Sequence, residues 1–116
     1  MATINPTVVS YPNRGIVVTW GPFTESDTIT PWEGWDCADK CFQVTGTFPS
    51  GGIGLKGNND GGATGYALNG ADNAAIALTA AGLKQVLENP RWVWPYVVSG
   101  TGASVTAVLV TRNTNS

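Results

Sequence analysis

The residues with the most chemical potential crowd into one stretch of this 116-residue chain. Phe23 to Asp39 reads FTESDTITPWEGWDCAD and carries Glu25, Asp27, Glu33, Asp36 and Asp39 together with Trp32, Trp35 and Cys37, with Cys41 close behind. Gathered carboxylates suit a hard cation, but the regular ligand spacing of a calcium loop is missing. Cys37-x-x-x-Cys41 is one residue longer than a redox pair and has no second pair to complete a zinc site. Spacing alone does not bridge the two thiols, and free thiols are the default expectation.

The chain has no histidine, which removes the commonest general base and every Ser-His-Asp or Cys-His arrangement. A hydrolase built on two carboxylates would need a rigid cleft that so small a chain has little room for. The pairs Gly51-Gly52 and Gly61-Gly62 lack the spacing of phosphate loops and read as turns. No catalytic residue, metal or other cofactor is therefore expected, and the chain reads as an assembly or binding protein and not as an enzyme.

Composition points the same way. Six basic and eight acidic residues give a formal charge of -2, and charged residues make up only 12% of the chain. Typical globular chains carry about twice that share. Either the surface is rich in Thr, Ser and Asn, or neighbouring subunits cover much of it. Lys and Arg occur singly, so no surface tracks a nucleic-acid backbone. No apolar run has membrane length, and the N-terminus lacks the features of a signal peptide, so synthesis in the cytoplasm is expected.

The elements that must position these residues follow a period of two. The stretch Arg91 to Arg112 reads RWVWPYVVSGTGASVTAVLVTR, two β-branched and aromatic runs joined by small residues, and predicts a hairpin central to a sheet. IVVTW (16–20) predicts a strand that Gly21-Pro22 stops. KCFQVTGTF (40–48) predicts a strand with one wet face, and IGLKG (53–57) a shorter one. Asn58 to Gly62 predicts a tight primed turn at Asp60-Gly61, with a brief strand over 64–68. NNDGGATGY (58–66) resembles the Asp-box hairpin of sialidases, which is structural even there.

Residues 71–89 are ambiguous. Ile76, Ala80, Leu83 and Leu87 have helical spacing, whereas Gly82 and the β-rich surroundings favour strand-turn-strand.

The expected fold is all-β: a compact β-sandwich, jelly-roll or immunoglobulin-like, of about seven to nine short strands. It comprises an N-terminal arm (1–6), one domain (7–112) with the long acidic and tryptophan-bearing loop 23–39, and a polar tail (113–116). Candidate core residues are Val18, Trp20, Phe42, Val44, Phe48, Leu55, Trp92, Trp94 and Leu109. Candidate interface residues are Trp32 and Trp35, which could instead plug the end of the core, and Ile4, Asn5, Pro6 and Thr7 of the arm. The arm either adds a strand to a partner's open edge or hangs loose.

INPTVV (Ile4 to Val9), VVTWGPF (Val17 to Phe23), DKCFQVTGTF (Asp39 to Phe48), GLKGNNDGG (Gly54 to Gly62), LTAAGLKQVLENPRWVWPYVVSGTG (Leu78 to Gly102) and VTAVLVTR (Val105 to Arg112) appear in order along most of the chain. This succession resembles small structural proteins of tailed bacteriophages encoded near the major capsid protein. The resemblance implies a small β-sandwich that decorates and stabilises the assembled head. It implies strand-turn-strand over Leu78 to Leu87, the major capsid protein as partner, and a place on the virion surface. Trp32, Trp35, Cys37 and Cys41 depart from that pattern. Self-association, a trimer before a dimer, is expected because it would hide low-charge surface. The alternatives are a virion-surface module for host carbohydrate and a head-tail connector or tail component.

Overall fold

The computed structural model describes residues 2–12, 14–34 and 39–112. It shows a compact all-β chain of eleven short strands in three sheets. Strands β2 (Thr7–Tyr11), β3 (Gly15–Phe23), β6 (Asp39–Thr47), β9 (Gly82–Val86) and β11 (Ser104–Arg112) form a five-stranded sheet in the order β2-β3-β11-β6-β9, with every pairing antiparallel. Strands β5 (Trp32–Glu33), β7 (Ile53–Asn58), β8 (Tyr66–Ala67) and β10 (Trp92–Val97) form a second sheet in the order β5-β10-β7-β8. Strands β1 (Thr3–Ile4) and β4 (Thr28–Ile29) pair in parallel on their own.

Alternation explains which face of each strand is buried, since successive side chains point to opposite sides. Val105, Ala107, Leu109 and Thr111 of β11 are buried, as are Val18 and Trp20 of β3 and Phe42 and Val44 of β6. From the second sheet Ile53, Leu55, Val93 and Trp32 join the same core cluster, so one core serves both sheets. Phe48 is half-buried and packs against that cluster. Trp20 also satisfies its ring N–H, donating from Nε1 to the Thr30 carbonyl at 2.8 Å, as a buried indole requires.

Several expectations are corrected. Residues 91–112 are not a hairpin: β10 pairs with β7 and β5, and β11 pairs with β3 and β6. The small residues Ser99 to Ala103 let the chain change direction, but they carry it from one sheet to the other. Gly21-Pro22 does not stop β3. The strand runs on to Phe23 across a cis peptide, and the register shifts opposite Val105 and Ala107, so the proline occupies a bulge. Pro95 lies beyond the end of the short β5, which reaches only Val93, so it sits where β10 is locally an edge.

Asp60-Gly61 is not a two-residue turn. Residues 59–65 form a wider loop around the Asn58 side chain, whose Nδ2 donates to the carbonyls of Gly62 and Thr64, both at 2.9 Å. Residues 71–89 hold no helix: only Gly82–Val86 is a strand, and the first half is tied by single bridges, Asn69 to Ala75 and Ile53 to Leu78. The strand count exceeds nine because four two-residue pieces pair.

Two left-handed glycines flank the start of β11. Gly21 (φ 122°) lies on one side and Gly46 (φ 124°) on the other. A Cβ on Gly46 would meet the Ser104 carbonyl oxygen at 2.3 Å and Val105 Cα at 2.9 Å, both backbone atoms that cannot yield. Gly46→Ala should therefore lower the unfolding free energy by about 2–3 kcal/mol, measured by urea titration. An unchanged midpoint would show that the strand relaxes.

Candidate docking surface

The sheet register places a broad uncharged surface on the side of the five-stranded sheet away from the core. One row across it runs Val9, Val17, Val110, Cys41, Gln85, and the next runs Thr7, Thr19, Val108, Gln43, Leu83. Thr106 opposite Thr45 continues the surface. None of these residues carries a formal charge, although fourteen residues of the chain are acidic or basic. Val17, Val108 and Val110 are half-buried among their neighbours, while Val9 and Leu83 at the two sides are 44% and 64% exposed. Charge returns at one end, where Arg112 and Asp39 face each other across β11 and β6. Five strands at about 4.8 Å and the five-residue length of the two outer strands make a patch of roughly 24 by 17 Å. An uncharged surface with valines at its middle and exposed Val9 and Leu83 at its sides is the kind of patch that marks a protein–protein contact.

The signal for this face was present in β11. Val108 and Val110 share its outward parity with Thr106 while the opposite parity is fully buried, and apolar residues on both parities mark a strand covered on both faces. What periodicity could not supply is which strands stand beside it.

The other sheet carries an outward aromatic row, Trp92, Trp94 and Tyr96 of β10. These alternate with the core-facing Val93 and Pro95, so Trp92, half-buried, is corrected as a core residue, whereas Trp94 is buried as expected, on the outward parity of the strand. Trp92 is half-buried with the Arg91 guanidinium 5.8 Å from its ring centroid. Trp94 is only 8% exposed but is covered from the outside, by the backbone at Gly65, where a Cβ would lie 2.5 Å from the ring. Lys56 Nζ sits 4.4 Å from the Tyr96 centroid and 5.9 Å from that of Trp94. Arg91 also pairs with Glu33 of β5. Cations from the chain itself therefore already take up this row. Beside it lies a groove of about 360 Å³ bounded by Thr24, Asp27, Lys56, Tyr96 and Ser99.

The predicted interface residues divide. Trp32 is 9% exposed and packs in the core cluster, with Gly34 folded tightly on its ring, the placement expected of a plug. Trp35, with Asp36 and Cys37, lies outside the described residues; Cys41 is half-buried in the docking face. The arm is fastened to its own chain: Thr28 N–H donates to the Ala2 carbonyl, Thr30 N–H to the Ile4 carbonyl, and Thr30 Oγ1 to Asn5 Oδ1 at 2.7 Å. Ile4 packs against the core, Pro6 is half-buried, and Thr7 opens β2.

The acidic loop serves as a clasp. Asp27 accepts the backbone N–H groups of Thr24 at 2.9 Å and Ala2 at 3.0 Å, holding the arm. Glu25 accepts those of Ala103 at 3.0 Å and Gly102 at 3.2 Å, holding the crossing between the sheets. Among the described residues no three of His, Cys, Asp and Glu gather as a metal site, and no helix is long and apolar enough to cross a membrane. Lys40 is buried beneath the sheet, and its Nζ donates to Asn89 Oδ1 at 2.9 Å, a link the sequence pattern did not indicate.

Compared with models of known protein families, with curated proteins and with solved structures, the chain matches none.

Backbone hydrogen bonds hold the carboxyls of Glu25 and Asp27 below their ordinary values of 4.5 and 3.8. Asp72 is lowered as well, first by its hydrogen bond from Lys84 and then by the Ala74 amide. A carboxyl depressed by folding adds stability above its unfolded pKa, and the contribution is lost as pH falls through the folded value. The thermal midpoint should thus be flat near neutrality and decline as pH drops through and below the ordinary carboxylate range. Glu25→Gln should flatten part of that decline; a variant with the parent's full acid sensitivity would remove Glu25 from the account.

Proposed function

We propose that this chain is a non-enzymatic structural protein that binds the outside of an assembled tailed-phage capsid and stabilises the shell. The observation that carries the reading is the charge-free outer face of the five-stranded sheet, bordered by opposite charges at Asp39 and Arg112. A face of that size is smaller than the roughly 800 Å² that each partner contributes to a standard stable interface. One contact would be modest, and many identical contacts on a lattice would add up, as cementing requires. The ordered phrases that resemble phage head-decoration proteins supply the class of partner, the major capsid protein, and the place, the virion surface. The same reading takes the two larger sheets, which share one core, as a β-sandwich of jelly-roll or immunoglobulin-like type.

A carbohydrate-binding module is the second reading, favoured by the aromatic row of β10. Stacking a sugar needs open ring faces, whereas Trp94 is covered and Lys56 already lies over Tyr96. The docking face therefore carries the conclusion.

A side-chain-resolution density map of a particle carrying this protein should show copies spread over the head lattice with Val108 and Val110 turned toward the shell. Val108→Lys, placing an ammonium in the middle of that face, should reduce co-sedimentation with shells by roughly tenfold or more while the fold persists. Copies confined to the neck, or bound with this face toward solvent, would overturn the proposal.

A further inference from the structure

The edges of the sheets are not equally protected. Strands β5 and β8, which bound the four-stranded sheet, are two residues each, and very short edges offer little to pair with. Strand β9, at one side of the five-stranded sheet, is blunted: Gly70 bridges Val86, Leu87 N–H donates to the Asn69 carbonyl, and Lys84 pairs with Asp72 at 3.1 Å. Among the described residues, strand β2, at the other side, has none of these devices. Its five residues, Thr-Val-Val-Ser-Tyr, are all exposed and contain no charge, and among the described residues they pair with β3 alone. A bare edge of this kind presents unpaired N–H and C=O groups, which is the template for adding another strand.

We propose that β2 pairs with β2 of a second copy of this chain, antiparallel about a two-fold axis at Val9, joining the two five-stranded sheets into one of ten strands. Three features select that occupant. First, β9 is blocked at its Val86 end and carries the Lys84–Asp72 pair along its edge, so the longer bare edge that another copy offers is again β2, and like surfaces meet through a two-fold axis. Second, the register is set by proline. With Val9 opposite Val9, Val8 faces Ser10 and Thr7 faces Tyr11, while Pro6 and Pro12, which lack N–H donors, face each other just outside the ladder. Any shifted register shortens the paired segment or brings a proline into it. Third, self-pairing opposes no like charges, the usual penalty when a strand meets its own copy. Parity is respected too: Thr7, Val9 and Tyr11 lie on the outer side of the sheet, so both outer faces come to lie on one side.

The pairing stands apart from the shell-docking reading, because it concerns free protein and a different surface of β2, its backbone edge. A five-residue ladder is a small contact, at the weak end of protein–protein interfaces. The dimer is therefore concentration-dependent in solution, and two joined faces meeting a lattice together would hold more tightly than one.

Sedimentation equilibrium of the full chain from micromolar to millimolar concentration tests the proposal. A monomer–dimer equilibrium is expected. Val9→Lys, which sets two ammonium groups opposite each other at the axis, should weaken it by roughly tenfold, while Leu83→Lys at the capped side leaves it unchanged. Oxidation of a Val9→Cys variant should give a disulfide-linked dimer joined at position 9, since directly opposed residues have Cα atoms about 4.5–5.5 Å apart, within disulfide reach. Monomer at every concentration, a trimer, or a dimer that Leu83→Lys dissociates and Val9→Lys does not, would overturn the pairing. The shell assay with Val108→Lys reads the other proposal separately, since Val108 lies two strands away from the β2 edge.

Discussion

Strand β11 imposes the constraint on which the structure depends. It lies in the middle of the five-stranded sheet, hydrogen-bonded to β3 on one side and β6 on the other. Its alternating residues serve two different surfaces at once: Val105, Ala107 and Leu109 enter the core, and Thr106, Val108 and Val110 face outward. A strand with period two cannot slip by one residue without exchanging those faces. Both neighbours meet its start through glycines whose backbone no side chain would fit, Gly21 and Gly46. The register of the whole sheet, and with it the outer face, follows from this strand.

Charge is distributed to match. The acidic loop after β3 gives its carboxylates to backbone N–H groups of the arm and of the sheet crossing, so Asp27 and Glu25 close the fold at one end. Lys40 is taken beneath the sheet to Asn89, and Lys56 and Arg91 lie over the aromatic rings of β10. With so few ionisable groups, each spent on an internal contact is one fewer for the surface. The outer face of the five-stranded sheet is left to Val, Thr, Gln, Leu and Cys41. Low charge thus has a place in this protein, and is not spread evenly over it.

The all-β character and the positions of the longer strands were legible because alternation is a local property. Val18, Trp20, Phe42, Val44, Leu55 and Leu109 share a parity within their own strands, and all are fully buried. The errors arose where a local signal had two three-dimensional solutions. Ser99 to Ala103 permits a change of direction but does not say whether the next strand pairs with the last one or leaves for another sheet. The parity of Trp92, Trp94 and Tyr96 was legible, but not which side of β10 faces the core. Asp60-Gly61 favours a tight turn, yet Asn58 has enough donors and acceptors to hold a wider loop instead.

By itself the sequence determined composition, period and the absence of histidine: a small β protein with little charge. Those properties depend on residue type and near neighbours, so they need no fold to be read. Tertiary structure alone decided that β10 and β11 part company, that Trp32 plugs the core, and that Val9, Val17, Val108 and Val110 come from three strands to one uncharged face. It also decided that β9 is blunted at its Val86 end while β2, among the described residues, is bare. Each of these depends on which strands lie side by side, and strand order is set by packing between residues distant in sequence, which no local pattern encodes.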